Sequence, residues 1–217
     1  MQIGSEQWQQ LIISGAAQLN ITVTADQVQA FGLHARELIH WNRKINLTAI
    51  VEARELAVKH FLDAIAPLTW IPDQGELIDV GTGGGFPGIA LSIMRPQQPM
   101  TLIDGSRKKI SFIKHLIRRL GLEKVQALQT RVEDLGRQEA YQGRFQTVVC
   151  RAFADPSTVV RMTKELLAPH GKIVAYQGPN TNLNFNVADF EKDCQSEVIE
   201  YRLPVSDDPR RLVVFQF

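Results

Sequence analysis

A chain of 217 residues, 44% hydrophobic and 22% charged, has the composition of one α/β domain, or of a core domain with an appendage, and excludes disorder, collagen-like repeats and a disulfide-stapled scaffold. Its 24 Lys plus Arg against 23 Asp plus Glu leave a net charge of +1. That balance carries no global signature of a nucleic-acid binder, so any RNA contact must come from a local patch.

The first residues contain no basic region ahead of their apolar ones, and no apolar run approaches about 18 residues, so neither a signal peptide nor a membrane span is expected. Residues 1–70 read as an all-α N-terminal cap. In its second helix Thr24 can cap a run from Ala25, and Phe31, Ala35, Leu38 and Ile45 recur at amphipathic spacing. His34, Arg36, Glu37, His40, Arg43 and Lys44 are left on the other faces. A further helix is expected from Glu52 to Ala66, stopped by Pro67, with Leu56, Phe61, Leu62 and Ile65 as its apolar set.

Residues 71–217 read as a second unit, because from Glu76 short apolar runs alternate with helical patterns. Leu77 to Val80, Met100 to Ile103, Val125 to Leu128, Phe145 to Cys150 and Lys172 to Tyr176 are five expected strands. Helices Gly88 to Arg95 and Ser106 to Leu120 lie between them, and another starts at Asp155-Pro156. Glu197 to Leu203 and Leu212 to Phe217 are two late strands with no helix between, expected to pair antiparallel at one edge. The sum is an α/β fold: an open, doubly wound sheet of seven strands, mostly parallel, with helices on both faces. Cys150 and Cys194 have no CxxC spacing, which suggests neither a zinc site nor a disulfide and fits a reducing, cytoplasmic setting. Cys150 reads as a small buried strand residue.

The informative stretch is Leu77 to Gly88, a strand running into a glycine-dense turn and then a helix. Glycines there allow positive φ and let a ligand lie against bare peptide groups. Gly83, Gly85 and Gly88 satisfy GxGxxG, so an NAD-dependent oxidoreductase has to be considered. Three features favour S-adenosylmethionine instead. Asp79, two residues before Gly81, can meet the cationic methionine half of that cofactor, whereas a pyrophosphate would be repelled by it. Asp104, closing the second strand, can hydrogen-bond ribose hydroxyls. Arg131-Val132-Glu133-Asp134 follows the third strand, where methyltransferases of this fold commonly hold adenine. Each acid also has a purely local reading, Asp79 capping the turn and Asp104, Glu133 and Asp134 serving helix starts.

Asn46-Leu47-Thr48-Ala49-Ile50, Lys59-His60-Phe61-Leu62-Asp63, the turn Asp79 to Ile89, Arg131 to Asp134 and Arg151-Ala152-Phe153-Ala154 together closely resemble the bacterial RsmG family, also called GidB. The resemblance covers nearly the whole chain. It implies a Rossmann-like class I S-adenosylmethionine-dependent methyltransferase that modifies N7 of one guanine in 16S ribosomal RNA of the small subunit, without a metal. It carries cofactor contacts onto Gly81, Phe86, Val132, Glu133 and Arg151. The fold argument adds Asp79, Gly83, Gly85 and Asp104. One departure is the segment 137–143, longer and more polar than expected.

Methyl transfer to N7 uses an in-plane lone pair, so no general base is expected and catalysis rests on alignment. After the fourth strand the chain reads Cys150-Arg151-Ala152-Phe153, not the Asn-Pro-Pro-aromatic motif of amino-group methyltransferases, nor the Pro-Cys nucleophile of C5-pyrimidine enzymes. Arg151 is the expected catalytic positioning residue, its fork suited to the methionine carboxylate or to a guanine carbonyl oxygen. For RNA the candidates are Arg107, Lys114 and Arg118 on the helix after Asp104, together with Asn46, Lys59 and His60 from the cap. A helix-end asparagine and a structural histidine are equally good readings of Asn46 and His60. A scaffold-like ribosome-assembly factor would keep the basic patch but would not need an intact glycine turn. The expected partner is the small ribosomal subunit or its RNA, met by a monomer with no membrane.

Overall fold

The structure, a computed structural model, describes residues 1–178, 181 and 194–217. Two long helices open the chain. Helix α1 (Glu6–Gln18) is capped by Ser5, and α2 (Ala25–Ile45) by Thr24 in a reciprocal capping box with Gln27. The next helical stretch is irregular: α3 (Ala53–Glu55), a π-helical segment Leu56–Leu62, α4 (Asp63–Ile65) and a 3₁₀ turn Ala66–Thr69. Pro67 therefore does not stop the chain's helical course. It sits in the first turn of the 3₁₀ piece, where its missing N–H costs nothing.

The sheet has the order β3-β2-β1-β4-β5-β7-β6. Strands β1 (Leu77–Val80), β2 (Met100–Asp104), β3 (Val125–Gln129), β4 (Phe145–Arg151) and β5 (Leu167–Gln177) run parallel, while β7 (Pro209–Gln216) is antiparallel to both β5 and β6 (Gln195–Arg202). The seven strands and the antiparallel late pair agree with the sequence, but β7 inserts between β5 and β6, so the last strand in the chain is not at the edge. Helices α5 (Gly88–Met94), α6 (Arg107–Leu120), α7 (Val132–Gly136) and α8 (Pro156–Thr163) connect the parallel strands. Asp155 caps α8 ahead of Pro156 as expected. Within segment 137–143 the chain makes a short 3₁₀ turn, Glu139–Tyr141.

Strand period separates two cores. Leu77, Leu102, Val149, Val174, Leu212 and Val214 face one cluster with α1, α2, α5, α6 and the π-helical segment. Ile78, Ile103, Val148, Cys150, Ala175 and Phe215 face the other with α7 and α8. Helices before residue 70 thus share one buried cluster with a whole face of the sheet. On α6 the buried set is Ile110, Phe112, Ile113 and Leu116, and the helix packs against α2. Strand order reverses between β1 and β4, which places a crevice at their carboxyl ends, the general ligand position in open α/β sheets. Among the described residues no helix is long and apolar enough to cross a membrane, and no group of His, Cys, Asp and Glu is placed to hold a metal ion.

Candidate active site

The glycine turn lies at that crevice. Amides of Gly81 and Thr82 donate to the Ile103 carbonyl at the end of β2, and those of Gly85 and Phe86 return to the Thr82 carbonyl, so the loop closes on itself. Its glycines do different work. A Cβ at Gly85 would lie 2.9 Å from the Ile89 side chain, and one at Gly88 would lie 2.6 Å from Asp79 Oδ2 and strike Leu102. One at Gly83, where φ is +55°, would meet only the Gly81 carbonyl at 3.8 Å. Gly85 and Gly88 are packing requirements, whereas Gly83 is bare toward open space.

Beside the turn is a cleft of about 300 Å³. Val80 and Gly81 line it from β1, Ile103, Asp104 and Gly105 from β2, and Thr130 to Glu133 from the end of β3, with Phe153 and Met162 closing it. Asp104 accepts from the Gly83 amide at 3.1 Å through Oδ2 and from the Ser106 amide at 2.8 Å through Oδ1. Each oxygen keeps a second lone pair, so the carboxylate can still take two hydroxyl donors. An acid with spare acceptors, flat apolar walls and a bare glycine fit the adenosine half of S-adenosylmethionine.

Asp79 sits differently from what its motif suggests. Its side chain is fully buried, and Oδ2 accepts from the Gly88 amide at 2.9 Å, capping α5. Oδ1 is buried with no hydrogen-bond partner among the described residues. Burial pushes its carboxyl up to about 6, against the pull of the Gly88 amide and the Arg151 charge. It therefore shapes the turn from beneath and does not line the cleft.

Phe86 is held between two histidines. The His34 ring stacks on it at 4.5 Å and the His60 ring at 4.6 Å, and the Arg151 guanidinium lies 5.2 Å from its centroid. His34 was left on a polar face of α2 by the sequence pattern. In the structure it is fully buried and bonds the Gly84 carbonyl at 2.8 Å through Nε2, because the glycine turn and Phe86 pack on that side of the helix. Arg151 donates from Nη1 to the Lys59 carbonyl at 3.1 Å and pairs with Asp63 Oδ2 at 3.4 Å, while Nη2 reaches His60 Nδ1 at 3.1 Å. Since a guanidinium has no acceptor, His60 Nδ1 must be the acceptor, and Nε2 carries the proton that it donates to Thr48 Oγ1 at 2.8 Å. The imidazole thus has no lone pair left for a substrate proton.

Both histidines are neutral. Burial lowers His34 to about 4, and burial reinforced by the Arg151 charge lowers His60 to about 3. The unfolded chain takes up two protons near pH 6.5 that the folded chain refuses, while the folded chain alone protonates Asp79 near pH 6. One net proton separates the states, so stability is expected to fall by about 1.4 kcal/mol for each unit of pH below 6. Urea unfolding at pH 6.0, 5.5 and 5.0 checks this, and His60→Gln should flatten the dependence.

Of the other residues singled out by sequence, Asn46 ends α2 at φ +29° and is exposed. Lys59 pairs with Glu55 at 2.7 Å. Arg107, Lys114 and Arg118 are exposed on α6, whereas His115 and Arg119 of the same helix face Glu37 of α2 at 2.9 and 3.5 Å. Those two, with Arg36, His40, Trp41 and Lys44, line a groove of about 750 Å³ away from the strand ends. Cys150 is buried on β4, and burial pushes its thiol far up, so it is no nucleophile. Sequence reasoning missed Asp63, Tyr201 and Arg210: the Tyr201 hydroxyl donates to Asp63 Oδ1 at 2.7 Å, and Arg210 Nε stands 3.6 Å from the same oxygen. Asp63 lay in a motif that carried the family resemblance. Nothing local marked the other two.

The sequence matches the family model GidB, described as rRNA small subunit methyltransferase G, over residues 27–214. The ribosomal RNA small subunit methyltransferase G of Geobacter metallireducens is 41% identical over 208 residues, covering 94% of this chain and 94% of the relative. Its counterpart from Geotalea uraniireducens is 37% identical over 216 residues, covering 98% of each chain. Among solved structures, a SAM dependent methyltransferase from Aquifex aeolicus superposes with a TM-score of 0.55 at 13% identity, over 76% of this chain and 93% of its own. Precorrin-6y C5,15-methyltransferase from Geobacter metallireducens gives 0.51 at 11% identity, over 71% and 87%. At such identities the likeness concerns the fold: a class I methyltransferase sheet, which is the fold this sequence implied. Family match, relatives and strand topology agree, and the chain belongs to the GidB family of rRNA small subunit methyltransferase G proteins.

Proposed function

We propose that the chain transfers the methyl group of S-adenosyl-L-methionine to N7 of a guanine in the 16S rRNA of the small ribosomal subunit, which places it in the cytoplasm with its substrate. Family membership supports the RNA. The acceptor atom rests on one observation: both histidines at the strand ends are buried and neutral, His60 with both ring nitrogens committed to hydrogen bonds and His34 fully buried, so that its unpartnered Nδ1 is out of a substrate's reach. When bound, the cofactor supplies an electrophilic methyl group on a sulfonium. A nitrogen with a free in-plane lone pair can accept it with no base, as guanine N7 does, whereas an exocyclic amine or a ribose hydroxyl must lose a proton.

The chain's own groups then hold and orient. Asp104 takes the ribose hydroxyls, Val132 and Glu133 border the adenine, and Gly81 and Gly83 let the ligand lie against the backbone. Asp79, Gly85 and Phe86 set the turn's shape, and Arg151 stands as a fixed cation over Phe86. We take the acting form to be a monomer. Tritium transfer from labelled S-adenosylmethionine to small-subunit RNA, followed by mass spectrometry of the digested product, tests the reading. Label on a ribose or an exocyclic nitrogen would remove the N7 assignment.

For the RNA surface we assign Arg107, Lys114 and Arg118, with Asn46 and Lys59 nearer the site, and His60 acting through Arg151. Charge reversal at Lys114 and Arg118 should weaken RNA binding and flatten its salt dependence by roughly one unit of slope per lost phosphate contact, with cofactor affinity unchanged. Filter binding across a salt series reads the slope. An unaltered slope would move the interface off α6, leaving Lys59 and adding Arg36 and Arg43.

A further inference from the structure

The strand ends carry a second cleft, also of about 300 Å³, over β4, β5 and β7. Asp63, Arg151, Tyr176, Tyr201 and Arg210 line it. The two clefts meet on the three residues that follow Cys150: Arg151 and Ala152 line the second, and Phe153 lines the first. Between them Ala152 holds φ at +51°, a left-handed conformation that a residue other than glycine adopts only when its surroundings impose it. A ligand in the first cleft and a ligand in the second would therefore face each other across the end of β4.

We propose that the second cleft is the acceptor pocket, that it receives a single guanine base, and that Arg210 donates to the base's O6. This rests on the methyl transfer to guanine proposed above and adds the subsite and the residue that selects the base. Size comes first. About 300 Å³ is the low end for a small-molecule pocket, enough for one base and too small for a base pair, so the target nucleotide enters unpaired or flipped out.

Charge comes second. Among the described residues that line the cleft, two guanidinium groups share one carboxylate, Asp63, whose side chain is only 8% exposed, so together they carry one net positive charge. Arg151 has both Nη atoms engaged on Lys59, Asp63 and His60. Arg210 directs Nε toward Asp63 and Nη1 to the Pro209 carbonyl at 2.9 Å, which among the described residues leaves its Nη2 donors for a ligand. Both tyrosine hydroxyls are spent inside the protein, Tyr176 on the Ala64 carbonyl at 2.6 Å and Tyr201 on Asp63. Asp63 Oδ1 already takes the Tyr201 hydroxyl and faces Arg210, so the Arg210 fork is the charged group the cleft presents to a base; it suits guanine, whose edge shows O6 beside N7, and opposes adenine, which places an amino group there. One donor on O6 leaves the neighbouring N7 lone pair free for the methyl group. Asp63 and Tyr201 are positioning residues, because they fix both guanidinium groups without needing to touch the base.

The test uses the full chain, with undermethylated small subunits and their deproteinised RNA as substrates. Arg210→Met keeps most of the side-chain volume and removes the donors; Arg210→Lys keeps the charge. Single-turnover transfer at saturating RNA should fall about 100-fold in Arg210→Met and less in Arg210→Lys, with affinities for cofactor and for RNA within about threefold of the parent. An unchanged rate, or a loss confined to RNA affinity, would overturn the proposal, the latter making Arg210 a phosphate contact. Should both variants fail to fold, RNA sparsely substituted with 6-thioguanosine and irradiated on the parent protein decides: cross-links must fall on β6 and β7 near Tyr201 and Arg210, and cross-links confined elsewhere overturn the pocket. A parent protein that methylates neither substrate would instead refute the functional reading itself.

Discussion

Gly83→Val is expected to abolish binding of S-adenosylmethionine while the protein stays folded. At this position a Cβ has nothing within 3.8 Å but the Gly81 carbonyl, so the added side chain enters the space a ligand would use and not the core. The cost to folding is backbone strain at φ +55°, about 1 to 2 kcal/mol for an L-residue. Calorimetric affinity for the cofactor and for its demethylated product should fall by at least about 100-fold, equivalent to about 2.8 kcal/mol. Gly88→Ala makes the contrast. Its Cβ would strike Leu102 and crowd Asp79, so that variant should lose stability first. Undiminished binding by a folded Gly83→Val protein would remove the glycine turn from the site.

Arg151→Ala is expected to lower single-turnover methylation by about 100-fold, since loss of a fixed charge displaces its neighbours by enough to spoil alignment. It should also lower stability by about 1 to 3 kcal/mol, because the Lys59 carbonyl loses its donor while Asp63 keeps Tyr201 and Arg210. Arg151→Lys should recover part of the stability and little of the rate. An ammonium is a compact charge that cannot span Lys59, Asp63 and His60 while lying over Phe86. The rate of the parent protein should be nearly flat from about pH 6 to 9, where neither histidine titrates. Rapid-quench methylation across that range reads both effects. A log-linear rise with pH that vanishes in His60→Ala would make His60 a general base, against the tautomer that its two hydrogen bonds impose.

Much of this molecule is written in local patterns. Alternation of apolar runs with helical periods determined the parallel sheet, because each strand and each connecting helix is dictated by neighbours in sequence. The caps Thr24, Ser106 and Asp155 marked helix starts for the same reason. The glycine turn and Asp104 announced the ligand class, since positive φ and a strand-end acid are properties of short segments. The π-helical stretch Leu56–Leu62 and the burial of His34 had no such signature: His34, and His60 within that stretch, stack on Phe86, which is distant in the chain.

By itself, then, the sequence determined fold class and family, which show as short motifs and local periods, each spanning about a dozen residues, repeated along the chain. Only the tertiary structure decided which glycine opens on the ligand, that His60 is locked as a donor to Thr48, and that Asp63 ties Arg151 to Arg210 across 147 positions. It also decided that β7 lies inside the sheet, which is what carries Arg210 to the end of β4. The reason is physical: hydrogen bonds and ion pairs depend on distance in space, and a side chain's partners across a sheet are set by strand order, which no local period encodes.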